Sequence, residues 1–253
     1  MEKNDGTPMN PRDLEELALT TWPALQQRLY DGWVVRFARG HTRRANSVNP
    51  LYPSYHDLSE KIARCEQWYA AANLPTVFRI NPHTASPAID NLLDARGYRL
   101  VDPSLTLHRR LDTWTLPDRL RGALRSEPLR DWLARYCQLS GKLPEQQATH
   151  TAILEATPKP RIFATLWDRE QAVACAVGVV SAQALSIVDV VTAAEYRQQG
   201  YGTALLGQLF AWAQRAGATD AALQVQADNA PARALYARLG FREVYHYWYR
   251  VGP

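Results

Sequence analysis

Cysteine is scarce in this chain of 253 residues, with three, at positions 65, 137 and 175. Their separation excludes a disulfide framework and any Cys-x-x-Cys metal or redox spacing. A sparse, odd set fits a reducing cytoplasm, where thiols simply pack. Long apolar runs are missing too, so no segment reaches membrane-spanning length. Residues 1–11 are polar and lack the apolar core of a signal peptide. Charge is not strongly one-sided either: the formal net charge of +4 comes from dispersed arginines, not from a basic run. That argues for a solvated surface and against a nucleic-acid tail. The expectation is a cytoplasmic protein with neither a membrane nor a nucleic acid as partner.

Against these absences stands one stretch, residues 188–203, reading VDVVTAAEYRQQGYGT. A β-branched run leads into a short polar segment. Two glycines one residue apart then open an amphipathic helix carrying Leu205, Leu206, Leu209, Phe210 and Trp212 at helical spacings. Strand, glycine turn and helix N-terminus make an anion site, because first-turn N–H groups lack partners and the helix dipole adds partial positive charge. Glycine at 200 and 202 removes Cβ atoms that would keep a phosphate from those donors. A phosphorylated cofactor is expected. The nucleotide P-loop, Gly-x-x-x-x-Gly-Lys-Ser/Thr, does not occur. A dinucleotide fingerprint fits poorly, since its third small position is the bulky Leu205.

Periodicity and turn residues outline the rest. In the first half we expect a helix over 14–30, interrupted near Pro23, and a β-hairpin from 33–38 and 42–48 around Arg39-Gly40-His41. A helix over 58–72, a strand over 76–80, a helix over 87–96 and paired strands over 98–101 and 105–111 follow. In the second half, helices are expected over 128–139, 144–156, 200–215 and 230–239. Strands are expected over 161–167, 172–180, 184–192 and 222–226, with one or two more over 242–251. Arg43, Arg44 and Asn46 form a polar cluster at the first hairpin, open to a functional role or to plain solvent exposure. Residues 112–117 can join two units. A repeat supports that division: LLDARGYR at 92–99 resembles LYARLGFR at 235–242, with Gly97 and Gly240 143 residues apart (240 − 97). Only the second copy has the phosphate turn.

That turn, RQQGYG at 197–202, resembles the phosphate signature Gln/Arg-x-x-Gly-x-Gly/Ala of the GNAT acetyltransferase superfamily. Residues 191–196 are similar to the family's fourth strand and its exit, with Ala194 where many members carry proline. Downstream, DNAPARALYARLGF at 228–241 resembles the family's Asn…Ala-x-x-x-Tyr…Gly-Phe segment. The two motifs stand in the right order with a strand between them. The resemblance implies an α/β (α+β) fold of two GNAT-like units, each a mixed, mostly antiparallel sheet flanked by helices. Residues 1–12 would be a disordered start, 13–112 a degenerate GNAT-like domain, and 113–253 the catalytic domain with the acetyl-CoA site.

The resemblance further implies that the fourth and fifth strands splay around the pantetheine arm, whose amides pair with the backbone of Val190, Val191 and Thr192. The pyrophosphate would sit on N–H groups of Arg197, Gln198, Gln199, Gly200, Tyr201, Gly202 and Thr203. Acetyl-CoA then serves as co-substrate, and the chemistry needs no metal. Direct transfer to an amine requires a neutral nucleophile, a polarised thioester carbonyl and a proton for the thiolate. Tyr236, at the family's tyrosine position, is the candidate proton donor, since a free phenol is protonated at neutral pH. A buried tyrosine that only holds the helix or the cofactor is the other reading. Asn229, or Asp228, can cap this helix, and by resemblance Asn229 also touches the cofactor.

Asp189, an acid in an otherwise apolar strand, is the candidate base; a structural hydrogen bond or a substrate cation would equally explain it. Glu195, in the polar exit loop, is weaker. His246, Tyr247 and Tyr249 can line the acceptor site or belong to the core. The activity implied is acetyl transfer to a primary amine of a small molecule or peptide, by a monomer or homodimer. A non-catalytic CoA-binding or sensing module is the competing expectation. The residues do not identify the acceptor.

Overall fold

Asn10 caps the first helix, α1 (Pro11–Thr21), its side chain accepting from the Asp13 amide at 3.0 Å. The computed structural model describes residues 9–117 and 120–253. Of the start expected to be disordered, residues 1–8 lie outside the described residues, and Pro11 and Arg12 are helical. After α1 come β1 (Gln26–Tyr30), β2 (Trp33–Phe37), β3 (Val48–Pro50), α2 (Leu58–Ala71), β4 (Val77–Ile80), α3 (Pro87–Ala95) and β5 (Arg99–Arg110). The second half supplies β6 (Ala123–Ser126), α4 (Leu129–Ser140), α5 (Ala148–Glu155), β7 (Arg161–Asp168), β8 (Gln171–Ser181) and β9 (Ala184–Thr192). It ends with α6 (Tyr201–Arg215), β10 (Asp220–Gln226), α7 (Ala230–Arg238) and β11 (Arg242–Val251).

Three expectations are corrected. The helix over 14–30 stops at Thr21, because Pro23 disfavours helical geometry at Trp22, whose ψ is 75°. The chain then enters β1. The tight hairpin is β1–β2, which was not expected, closed by Asp31 and Gly32 at φ 42° and 80°, the pair of left-handed residues that a two-residue turn demands. β2 also pairs antiparallel with the strand beyond Arg39-Gly40-His41, but that strand, β3, starts only at Val48. Residues 43–45 make a 3-10 turn, and the connection is drawn together by the buried Asn46, which accepts from Ala38 and Gly40 N–H and donates to His41 and Thr42 carbonyls. Finally, 98–111 holds one long strand, β5, and not two.

The strands of the described residues form one sheet in the order β1-β2-β3-β4-β11-β5-β10-β9-β8-β7-β6. The pairs β3/β4 and β9/β10 are parallel; the other neighbours are antiparallel. β5, from the first half, pairs with β10 of the second, while β11 pairs with β4 of the first. The offset of 143 residues seen in the sequence runs through these elements. It carries the first residues of α2, β4, α3 and β5 (58, 77, 87 and 99) onto those of α6, β10, α7 and β11 (201, 220, 230 and 242). The register between β5 and β11 obeys it as well: Arg99 faces Val251, and their counterparts Arg242 and His108 face each other.

Packing follows the same plan. Leu205, Leu206, Leu209, Phe210 and Ala213 form the buried stripe of α6 and join Tyr236 and Leu239 from the α7 region in one core. Ile62, Cys65 and Tyr69 of α2 join Ile89 and Leu93 of α3 in another. The first helix ties the middle together. Glu15 on α1 meets Arg79 of β4 at 2.6 Å, and the Tyr245 hydroxyl of β11 also donates to it.

Candidate active site

β9 and β10 pair in parallel only from Ala184 opposite Asp220 to Ile187 opposite Leu223. Beyond that point the strands run on unpaired with each other to Thr192 and Gln226, and a cavity of about 480 Å³ opens beside them. On its other edge β9 carries a bulge. Asp189 and Val190 together face the single residue Ala176, between the pairs Val188–Val177 and Val191–Cys175. Asp189 sits there at φ 53°, a left-handed conformation that aspartate reaches more readily than most residues. The bulge leaves its carboxyl at the cavity wall and within reach of α5.

On α5, His150 Nε2 lies 2.8 Å from Asp189 Oδ2. Gln147 Nε2 donates to the Leu143 carbonyl at 3.2 Å, which turns Gln147 Oε1 towards His150 Nδ1, 3.1 Å away. The imidazole is thus held at both ring nitrogens, by Gln147 on one side and Asp189 on the other. The imidazole is 1% exposed and walled by Trp22, His41 and Tyr136, with ring centres 5.7, 5.4 and 5.1 Å away. Burial, then the neighbouring His150 and Lys142, hold the His41 imidazole below its ordinary pKa, with Asp189 opposing them. Sequence reasoning missed His150: it stands 39 residues before Asp189, and no local spacing links them.

The phosphate turn follows the C-terminal end of β9, just beyond the bulge. Thr192 leads through an exposed exit to Gln198 at φ 59° and Gly200 at φ 87°, where α6 begins with no side-chain cap. The first-turn N–H groups of α6 are therefore open to a ligand. A Cβ on Gly200 would project into space with nothing within 4 Å, so the glycine both permits the left-handed turn and keeps a cradle clear. Gly202 serves a different need: its Cβ would lie 3.0 Å from Leu235 Cδ2 of α7 and 3.6 Å from Thr192 Oγ1. Arg197 Nε donates to the Thr192 carbonyl at 3.2 Å, and Gln199 Nε2 to Glu195 O at 2.8 Å. The Tyr201 ring is buried and its hydroxyl donates to Asp168, so at the turn this residue offers backbone only. Thr203, next in the helix, is half-buried.

Tyr236 on α7 lines the cavity, as do Val190 and Asn229. Asn229 caps α7, accepting from Ala232 N–H at 3.2 Å. Burial pushes the Tyr236 phenol up to about 12. Among the described residues its hydroxyl has no hydrogen-bond partner. The far wall comes from the first half and the last strand: Arg43, Arg44, Asp102, Tyr247 and Tyr249. Tyr247 and Tyr249 are buried, whereas His246 is exposed and outside this lining. Val191 and Thr192 are half-buried on β9 and also outside it. Among the described residues no cluster of three His, Cys, Asp or Glu side chains is placed to hold a metal, and no helix is long and apolar enough to cross a membrane.

The corresponding turn of the first half is filled by the protein itself. Asp57, 143 residues before Gly200, caps α2 and accepts from Glu60 N–H at 3.0 Å. The preceding Tyr55 and His56 N–H groups both donate to the Asp31 carboxylate, at 2.9 Å each to Oδ2. The His56 amide, together with Ser54 and Lys61, holds that carboxyl well below the usual range. Two carboxylates thus occupy the donors that remain open at α6.

One mixed, mostly antiparallel sheet flanked by helices is the architecture of the GNAT acetyltransferases. A GCN5-related N-acetyltransferase from Kribbella flavida shares that fold with a TM-score of 0.71 at 16% identity, covering 97% of this chain and 96% of the other. A second, from Sphaerobacter thermophilus, gives 0.65 at 18% identity over 93% of this chain and 84% of the other.

The particular family is set by sequence. The profile of the family described as "Probable histone acetyltransferase Rv0428c C-terminal" matches residues 10–250, and the chain belongs to that acetyltransferase family. The "Uncharacterized N-acetyltransferase YobR" of Bacillus subtilis (strain 168) is 30% identical over 246 residues, spanning 95% of this chain and 98% of that protein.

Proposed function

We propose that this protein transfers an acetyl group from acetyl-CoA directly to a primary amine of a small molecule or peptide. One observation carries the reading: β9 parts from β10 after Ile187 and Leu223, beside an α6 N-terminus that no side chain caps. Bound acetyl-CoA supplies the thioester from which the acetyl group leaves. Backbone N–H groups over 197–203 would hold its diphosphate, with Gly200 keeping that approach clear. The β9 edge at Val190, Val191 and Thr192, released from β10, would pair with the pantetheine amides and turn an N–H to the thioester oxygen.

Asp189 accepts the proton that the amine must lose, while His150 holds its Oδ2 and so its orientation. Tyr236, kept as the protonated phenol by burial, delivers a proton to the departing thiolate. Asn229 holds the start of α7, and thereby Tyr236, in place. The chain consists, in this reading, of two GNAT-like units of which the first is degenerate. It lends the wall at Arg43, Arg44 and Asp102, and Asp31 and Asp57 deny it a diphosphate of its own.

Calorimetry with acetyl-CoA, followed by thiol release on a panel of primary amines, tests the proposal. Binding with amine-dependent release is expected. Absence of binding overturns the reading, and binding without release on any amine leaves a CoA-binding module instead.

A further inference from the structure

Four charged side chains border the cavity beside β9: Arg43, Arg44, Asp102 and Asp189. Arg43 donates through Nη1 to Asp102, and Asp189 is held by His150 at 2.8 Å. Arg44 has no carboxylate within ion-pair distance among the described residues. It is nevertheless fixed from two sides. Arg36 Nη1 donates to its backbone carbonyl at 2.9 Å, and its guanidinium carbon lies 5.7 Å from the centre of the Trp22 ring. Trp22 is itself buried, its Nε1 donating to Thr42 Oγ1 at 3.4 Å. A guanidinium placed in this way over a buried aromatic loses little further freedom when it takes an anion.

Gln224 on β10 is an independent sign. It lines the same cavity and, with Arg44, the smaller cleft that continues beneath α1. Its Oε1 accepts from the Tyr247 hydroxyl at 3.3 Å, while its Nε2 is buried without a partner among the described residues. A buried donor left unpaired is costly until something accepts from it. One uncommitted cation and one uncommitted amide N–H along a single wall ask for a singly charged group with two acceptor oxygens. A polyamine or aminoglycoside would set positive charge against Arg44 and leave both donors unmet.

We propose that the acceptor is an amino carboxylate: Arg44 and Gln224 receive its carboxylate while its amine faces Asp189. The inference rests on the acetyl-transfer reading and names the substrate class of that site. The test uses the full chain loaded with CoA, which occupies the site but has no acetyl group to give. This complex is titrated calorimetrically with matched amines: free amino acids, their carboxamides, the decarboxylated amines, a dipeptide, an aminoalkyl phosphate and spermidine. Thiol release from acetyl-CoA is then measured on the same panel.

We expect kcat/KM to be at least about tenfold higher for a carboxylate than for its carboxamide. Arg44→Gln is expected to erase that ratio through KM with the CoA affinity unchanged, and Gln224→Leu to narrow it. A dipeptide that outperforms free amino acids assigns the carboxylate to a peptide end; the reverse order assigns it to a free amino acid. Either result supports the class. Equal or better turnover of the decarboxylated amines, the phosphate or spermidine overturns it. So does an unchanged ratio in Arg44→Gln, or silence of the whole panel on protein that binds CoA. Failure to bind CoA overturns the acetyl-transfer reading, and this inference falls with it.

Discussion

His150 Nε2 and Asp189 Oδ2, 2.8 Å apart, join the buried face of α5 to the bulge of β9. The bulge costs backbone strain at φ 53°, and the histidine gives the strained residue a fixed direction. Asp189→Asn keeps the shape and tolerates the left-handed backbone, yet cannot accept a proton. Its kcat is expected to fall by about 10²–10⁴. His150→Phe removes only the support. We expect a smaller loss in kcat than for Asp189→Asn and an unchanged affinity for acetyl-CoA.

Tyr236→Phe separates acid from scaffold. Because the hydroxyl has no hydrogen-bond partner among the described residues, its loss orphans no neighbour, and Tm is expected to stay within a few degrees. A fall in kcat of about 10² or more at constant acetyl-CoA affinity is expected from a lost proton donor. An intact kcat would return Tyr236 to a packing role.

His41 predicts how stability depends on pH. Burial, then His150 and Lys142, lower its pKa in the folded protein below the unfolded value near 6.5. On acidification the unfolded chain takes up this proton first. The contribution is therefore complete above about pH 6.5 and is lost as pH falls through the lower, folded value. His41→Gln is expected to flatten the decline of Tm between about pH 7 and 5 and to change Tm little at pH 8. Thermal melts across that range measure it.

The Glu15–Arg79 pair is buried on both sides, with side-chain exposures of 3% and 1%. Glu15→Gln leaves the guanidinium uncompensated and is expected to cost about 3–5 kcal/mol in denaturant unfolding. Replacing both residues with methionine is expected to recover part of that loss, since no buried charge then remains.

Gly200→Asp would give α6 the kind of carboxylate with which Asp57 serves α2. Aspartate tolerates the φ of 87° better than most residues, so the fold is expected to hold. A negative charge in the cradle opposes a diphosphate, and the Kd for acetyl-CoA is expected to rise at least about tenfold. Calorimetry reads both partners directly.

Much of this architecture was legible because its signals are local. Helices α2, α3, α6 and α7 announce themselves through apolar spacing, with closing glycines after α3, α6 and α7, and the strands of the second half through β-branched runs. Asp31-Gly32 carries a strong short hairpin signal, which the helix expected over 14–30 passes over. The exchange of β5 and β11 was not legible: both are apolar enough to pair anywhere, and the choice of partner is made by the whole sheet. The site divides in the same way. Asp189 and the glycine turn stand out in sequence, whereas Trp22, Arg44 and Gln224 reach the cavity, and His150 reaches Asp189 at its wall, from four separate segments that only the fold collects.

The position of β11 between β4 and β5 has a consequence for biosynthesis. The strand that closes the centre of the sheet is the last of the eleven to leave the ribosome. At roughly 5–20 residues per second, the edge of β4 waits on the order of ten to thirty seconds for its neighbour. Through that interval the nascent chain offers an open edge to any other strand nearby, and translation speed becomes a determinant of how much of the protein matures correctly.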